Sequence, residues 1–151
     1  MSKQVSVVRQ GEGQVLNVLG SSLRFVCRGE ETGHAWSMME AVLPKDTGPP
    51  PHHHVWDEAY YCVSGEIEFN LDGRRELVRA GDFVYAPGGT VHAFHGVSEE
   101  PARLLVFDAP AHAASFFVEI DREVVNIPAD LAKTPAIGAR NGVVFAAPAA
   151  E

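Results

Sequence analysis

The sequence has little of what would tie it to nucleic acid or to a membrane. Its 12 Lys and Arg residues are outnumbered by 20 Asp and Glu residues, which gives a net charge of −8, and they form no block that could neutralise phosphates. No apolar run approaches the roughly 18 residues of a membrane-spanning helix, and the N-terminus lacks the apolar segment of a signal peptide. We therefore expect no nucleic-acid partner, no membrane partner and a cytoplasmic location.

Cysteine is scarce as well. The two cysteines, Cys27 and Cys62, could pair only if the fold brought them close, and we expect two buried free thiols. The 151 residues, 46% of them hydrophobic, are enough to bury a core without disulfides or structural metals. The expected organisation is a single domain over residues 1–151.

Short runs of strand-forming residues, separated by turn signals, dominate from residue 5 to about residue 109. Asp72-Gly73 is a strong hairpin signal, and Ser64-Gly65 and Pro87-Gly88-Gly89 mark further turns. Many short strands at this spacing predict an all-β sandwich or barrel, with its core at about residues 15–109.

The pattern changes after Pro110, in an extension over about residues 110–151. Ala111 to Glu123 predicts a helix, and a second helical piece starts at Asp130, is interrupted near Pro135 and is closed by Asn141-Gly142. These helices are too short to form a domain of their own, and we expect them to pack on one flank of the β core.

Three histidines and two carboxylates crowd into the seven residues from His52 to Glu58. In an extended segment alternate side chains share a face, so His52 and His54 point one way and His53 the other. Glu58 begins the next extended segment with the same parity, so it can converge with His52 and His54. Asp57 should point away, as a surface charge.

A second marked segment runs from Gly81 to His92. Its turn at Pro87–Thr90 offers a way to aim His92 at the first group, which it can join only through tertiary structure. Three imidazoles and a carboxylate suit one divalent transition metal, with Fe, Mn, Ni, Cu, Co and Zn all open. Such a set leaves coordination positions free for water or substrate, as catalytic sites do, and Glu58 could also act as a base.

Together the two segments resemble the paired motifs of the cupins. The first motif, Gly-x5-His-x-His-x(3,4)-Glu-x6-Gly, is matched from His52 onward, with its leading glycine at Gly48, two residues closer than the pattern asks. The second motif, Gly-x5-Pro-x-Gly-x2-His-x3-Asn, is matched from Gly81 to His92, with Gly96 in place of the final Asn. The motifs cover about a third of the chain.

The resemblance implies a jelly-roll β-barrel of six to eight strands and a metal held by His52, His54, Glu58 and His92. Segments 50–61, 81–87, 114–119 and 142–148 are more specifically similar to small single-domain cupins related to quercetin dioxygenase. The resemblance also implies a homodimer, because cupins commonly pair edge strands, and the apolar segment from Val5 to Leu19 is a candidate for that pairing.

Four residues are predicted to line the substrate pocket: Tyr60, Phe94, Trp36 and Cys62. Tyr60 shares the parity of Glu58 and Phe94 that of His92, and simple core packing is the alternative for each. Such walls would favour an aromatic or apolar small molecule. The remaining histidines, His34, His95 and His112, are expected to have surface or structural roles.

The resemblance leaves three functions open. The leading hypothesis is a metal-dependent oxygenase acting on an aromatic, flavonol-like or polyketide-like substrate, with Glu58 accepting the substrate proton. The second is a zinc-type cyclase or isomerase that uses no oxygen. The third is a small-molecule-binding protein without catalysis, because one fold hosts many chemistries.

Overall fold

The strand-rich segment folds into a series of short antiparallel strands. The computed structural model describes residues 2–146, so Met1 and residues 147–151 of the predicted domain lie outside the described residues. The strands are β1 (Val15–Val18), β2 (Ser21–Cys27), β3 (Ser37–Leu43), β4 (His52–His53), β5 (Asp57–Ser64), β6 (Glu66–Leu71), β7 (Arg74–Arg79), β8 (Phe83–Ala86), β9 (His92–Gly96), β10 (Ala102–Ala109) and β11 (Val144–Phe145).

These strands form two antiparallel sheets. The first has six strands in the order β1-β2-β3-β10-β5-β8, and the second has five in the order β11-β4-β9-β6-β7. Neighbours in space are often distant in sequence, as in the pairing of β10 with both β3 and β5. This two-sheet jelly-roll arrangement confirms the predicted all-β fold.

The core between the sheets follows the alternation of the strands. In β3 the residues Ser37, Met39, Ala41 and Leu43 are buried, while those between them are half-buried. In β10 every second residue from Ala102 is buried in the same way. Fully burying one such aliphatic side chain contributes about 1.5–3 kcal/mol, so this alternation fixes which face of each strand looks inward.

β3 begins at Ser37, and the two apolar residues before it, Ala35 and Trp36, lie in a loop. Trp36 is held in the preceding loop, because its backbone N–H donates to the Thr32 hydroxyl and its carbonyl accepts a bond from that hydroxyl. A 3-10 helix, Gly29–Thr32, brings Thr32 to this position. The strand therefore begins only at Ser37.

The predicted first helix is present as α1 (Ala114–Glu123). Its buried residues, Phe116 and Ile120, are four positions apart and so lie on one face. Just before it, the Asp108 carboxylate accepts the backbone N–H groups of His112 and Ala113 at 2.8 and 2.9 Å. A side chain from β10 thus fixes where the helix starts, and α1 packs beside β1 on one flank of the β core.

The second helical segment consists of a 3-10 turn, Ala129–Lys133, followed by α2 (Thr134–Arg140). Pro135 was predicted to interrupt this segment, but it lies in the first turn of α2, where a helix needs no backbone N–H from it. The chain then returns as β11, a strand the sequence had not indicated. Among the described residues, no helix is long and apolar enough to span a membrane.

Candidate metal centre and its cavity

Three predicted histidines meet inside the fold. His52 on β4 pairs directly with His92 on β9, and directly opposed residues of antiparallel strands present their side chains on the same face. His54, two residues after His52, shares that face by alternation. All three are buried, and a ring nitrogen from each lies within 4.8 Å of the others.

Contacts of the turn at Pro87–Thr90 explain why His92 arrives there. The backbone N–H of Gly89 donates to the His54 carbonyl at 2.8 Å. The Asp57 carboxylate accepts the Gly88 N–H at 2.8 Å and the Tyr85 hydroxyl at 3.1 Å. Asp57, predicted to be only a surface charge, is half-buried and holds this turn against the histidine segment. The turn therefore carries His92 toward the first group, as its position in the sequence had suggested.

Each imidazole is oriented by a backbone carbonyl two residues away. The Nδ1 atoms of His52, His54 and His92 lie 2.8, 3.0 and 2.8 Å from the carbonyl oxygens of Pro50, Trp56 and Thr90. A carbonyl only accepts, so each Nδ1 carries the hydrogen and each Nε2 lone pair is left for another partner. This is the arrangement found around metal-binding histidines.

Glu58 completes the group from the opposite sheet. Its Oε1 lies 3.2 Å from His54 Nε2, and its Oε2 lies 3.3 Å from His92 Nε2. The Tyr60 hydroxyl donates a hydrogen bond to the same Oε2. Even so, the Nε2 atoms of His54 and His92 are buried and have no hydrogen-bond partner among the described residues.

The electrostatics of the group favour a bound cation. Burial lowers the pKa of His52 to about 4, with the neighbouring His92 adding to the effect, so the His52 imidazole is neutral at neutral pH. Burial raises the pKa of Glu58, but the imidazoles of His54 and His92 outweigh it and hold that pKa well below its ordinary value. A buried carboxylate and three imidazoles thus converge, and without a bound cation the positive charge beside Glu58 has to come from protonation of an imidazole.

Protonation of His92 is one source of positive charge beside Glu58. Burial lowers the pKa of His92, but the adjacent Glu58 carboxylate outweighs burial, so the pKa lies above its ordinary value. Burial and Glu58 both raise the pKa of Tyr60 well above its ordinary value, so Tyr60 stays a hydrogen-bond donor. The orphaned Nε2 atoms and the nitrogen–oxygen donor set match a divalent transition metal, and the three buried histidines could form its site.

A cavity opens beside this group between the two sheets. Its volume is about 60 Å³, and part of the space around it is continuous with solvent. His52, Glu58 and Tyr60 lie in its wall, and Ser21 and Ser22 add two hydroxyls. The rest of the lining is apolar and comes from Val18, Leu19, Leu23, Ala41, Leu43, Pro49, Phe94, Val106, Phe116, Phe117 and Phe145.

The predicted pocket residues divide into two groups. Tyr60 and Phe94 line the cavity, with their ring centroids 5.4 Å apart. Cys62 is fully buried in the core and lies outside the cavity wall. Trp36 was predicted to line the interior, but it is 44% exposed. Its backbone lies in the loop before β3, held by the Thr32 hydroxyl, and its side chain faces solvent.

The strands also show which way the other histidines face. His53 pairs with Val144 of β11 and, as the residue between His52 and His54, lies on the opposite face of its strand. His95 is half-buried opposite Glu68, away from the cavity. His34 and His112 are exposed, as expected.

One residue of the site was missed from the sequence. Trp56 is buried and stacks on the His54 ring, with centroids 4.1 Å apart and an angle of 5° between the planes. Its carbonyl also accepts the bond that orients His54. Trp56 lies between two motif residues with the parity of His54, and this parity was the available signal.

Comparisons with known proteins agree with this geometry. The family model described as "Cupin domain" matches residues 38–108. Quercetin 2,3-dioxygenase of Bacillus subtilis is 28% identical over 89 residues, which cover 58% of this chain and 26% of that protein. Polyketide synthase CurC of Streptomyces cyaneus is 28% identical over 92 residues, 60% of each chain. The chain thus spans less than two thirds of either relative.

Solved structures share the fold. The polyketide cyclase RemF of Streptomyces resistomycificus superposes with a TM-score of 0.63 at 21% identity, over 71% of this chain and 80% of that one. At this identity the likeness concerns the arrangement of the strands and carries nothing about substrate.

Proposed function

Because residues 38–108 of this chain form a cupin domain, we propose that the protein is a metal-dependent oxygenase acting on an aromatic or enolic small molecule, of the flavonol or polyketide type. The observation that carries this proposal is the convergence of three oriented imidazoles and one ionised carboxylate at the wall of an apolar cavity. The partial likeness to a quercetin dioxygenase supports the reaction type.

The chain would hold the metal through the Nε2 atoms of His52, His54 and His92, with Glu58 as a fourth ligand or as the base beside it. A bound divalent ion would supply Lewis acidity that lowers the pKa of a substrate enol or phenol, and a redox-active ion would also permit reaction with dioxygen.

Glu58 is placed to take up the substrate proton. Its carboxylate is ionised and buried, and it lies in the cavity wall next to the histidines. The Tyr60 hydroxyl donates a hydrogen bond to Oε2. This bond orients the carboxylate and leaves Oε1 as the oxygen that would accept the substrate proton. A base held within hydrogen-bond reach of its substrate contributes typically about 10²–10⁴-fold to rate.

The apolar walls would position the substrate and exclude water. Phe94, Phe116 and Phe117 present aromatic rings to the cavity, and rings of this kind pack favourably against an aromatic substrate. Excluding water from the cavity strengthens each electrostatic contact that Glu58 and the histidines make.

Oxygen consumption tests the proposal directly. The purified chain would be reconstituted with Fe, Mn, Ni, Cu, Co or Zn in turn and assayed with flavonols, catechols and enolic polyketide models, with and without oxygen. We expect oxygen uptake matched to substrate loss with at least one redox-active ion. Substrate loss that continues without oxygen would refute the oxygenase.

The similarity to polyketide synthase CurC favours a second candidate. With zinc, the same residues would serve a non-oxidative cyclase or isomerase in which Glu58 moves the proton. Full activity with zinc and no oxygen uptake in the same assay would support this reaction instead.

A further inference from the structure

The inner cavity beside the metal centre is only partly open to solvent. A second, outer groove runs along the surface between the segment Gly48–Pro51 and the segment from Ile127 to Pro135. Four residues line both spaces: Leu19, Pro49, Phe94 and Phe145. These four residues therefore stand between the two spaces, on the direct path from the groove to the cavity that Glu58 lines.

Two of these four residues are fixed. Phe94 packs against the rings of Tyr60 and Phe69, at centroid distances of 5.4 and 5.1 Å. Pro49 follows Gly48, where a Cβ would lie 1.8 Å from the carbonyl oxygen of Phe94, so backbone is pressed against backbone there. Opening must therefore come from Leu19 and Phe145.

Phe145 is held by little backbone structure. It lies on β11, which pairs only with the two residues of β4 and is an edge strand of its sheet. A backbone bond from Ala146 N–H to the Pro51 carbonyl, at 2.9 Å, adds one further link. The Phe145 ring is 5.7 Å from the His52 ring and 6.0 Å from the Phe116 ring. Short edge elements are the parts of a fold that open most readily.

Leu19 occupies a position that its residue type does not favour. It forms the turn between β1 and β2 with Gly20, at φ values of 51° and 90°. The Asp72-Gly73 turn has nearly the same values, 51° and 84°, but carries an aspartate at its first position. Such turns prefer Asn, Asp or Gly, and a bulky residue there costs about 1–2 kcal/mol. Leu19 therefore combines a strained backbone conformation with an apolar side chain that lines both the inner cavity and the outer groove. Backbone strain of this kind often marks a functional position.

We propose that Leu19 and Phe145 form a gate between the outer groove and the inner cavity, and that they determine which ligands reach the metal centre. The gate selects against ligands too wide to pass between the two side chains and favours flat aromatic ones. This inference rests on the proposed function in one respect: both require that a small molecule binds in the inner cavity.

The gate can be tested without turnover. The probe is the neutral fluorescent dye N-phenyl-1-naphthylamine, mixed by stopped flow with the full chain as purified. The variants are Phe145→Ala, which removes one gate side chain, and Leu19→Gly, which suits the positive φ and so preserves the turn. The matched control is Phe117→Ala, since Phe117 lines the inner cavity but not the outer groove.

Both gate variants should raise the association rate of the dye by about tenfold, because binding that awaits a conformational opening is slowed by it. Phe117→Ala should change the dissociation rate and leave the association rate within about twofold of the wild type. Equal association rates in wild type and both gate variants, or an equal rise in Phe117→Ala, would overturn the gate. Since the assay involves no reaction, a failure of the oxygenase proposal would leave its outcome unchanged.

Discussion

Two buried carboxylates, Asp108 and Glu58, have opposite surroundings. Asp108 is 1% exposed and accepts hydrogen bonds from the Ser37 hydroxyl and from two backbone N–H groups before α1. Glu58 is 6% exposed, and two of its nearest neighbours are the imidazole nitrogens of His54 and His92, which have no hydrogen-bond partner among the described residues. The two carboxylates are therefore similarly buried. The hydrogen bonds around Asp108 are complete, whereas two nitrogens beside Glu58 lack a partner.

The difference separates a structural role from a chemical one. A buried polar group costs about 1–3 kcal/mol when it lacks a partner, so folding alone favours the arrangement around Asp108. The arrangement around Glu58 is favoured only if something outside the chain, such as a metal ion or a substrate, completes it. The predictions below test this contrast, from the largest expected effect to the smallest.

The largest effect is expected for Glu58→Gln. Loss of the carboxylate should lower turnover by about 10²–10⁴-fold, the usual contribution of a general base. The free energy of unfolding of the metal-free protein should not fall, because the amide can donate to the nitrogen atoms of His54 or His92. Turnover and thermal unfolding of the same preparation measure the two quantities. Unchanged turnover would remove Glu58 from the mechanism.

Asp108→Ala should have the reverse profile. Three donors lose their acceptor, and we expect the free energy of unfolding to drop by about 3 kcal/mol. Metal content should stay at the wild-type value, since Asp108 is not part of the metal centre. Urea denaturation and metal analysis give both results. Asp121→Ala is the matched control, because Asp121 accepts one backbone N–H, from Asn17, and should cost about 1 kcal/mol.

Metal binding should stabilise the wild type. With Zn²⁺ at about 100 times its dissociation constant, the free energy of unfolding should rise by about 2.7 kcal/mol. His92→Ala should abolish that rise, and His95→Ala, on the same strand but facing away, should retain it. Unfolding curves recorded with and without a chelator provide the measurement. A rise that persists in His92→Ala would place the metal elsewhere.

Tyr60→Phe should have a smaller effect on the same site. The phenyl ring keeps its contacts with Phe69 and Phe94, while Glu58 loses a hydrogen bond. We expect turnover to fall about tenfold and the free energy of unfolding to change by about 1 kcal/mol. Cys62→Ser, a buried change outside the cavity, controls for disturbance of the core: its turnover should stay near that of the wild type.

His53→Ala should have the smallest effect of all. Its side chain lies on the opposite face of β4 from His52, so metal stoichiometry should not change, and stability should stay within about 0.5 kcal/mol. Metal analysis beside His52→Ala gives the comparison. If His53→Ala lost the metal and His52→Ala kept it, the parity assignment would be wrong.

Much of the site could be predicted from the sequence, because the direction of each side chain depends on residues close to it in the chain. Strand parity distinguished His52 and His54 from His53, and the turn at Pro87–Thr90 indicated how His92 would be aimed. Trp36 shows where that logic failed: two bonds to the Thr32 hydroxyl hold its backbone in a loop, and its side chain then faces outward. Interactions of this kind depend on contacts that composition and propensity do not encode.

The sequence by itself determined the alternation of buried and exposed residues, the turns and the donor set, because each depends on neighbours within a few positions. Only the tertiary structure decided that β11 returns to pair with β4, that Phe145 and Leu19 line the same cavity, and that Trp56 stacks on His54. Those arrangements bring together residues up to 126 positions apart in the numbering, as Leu19 and Phe145 in the wall of one cavity. Their geometry follows from how two twisted sheets and two helices pack, which pairwise spacing along the chain does not specify.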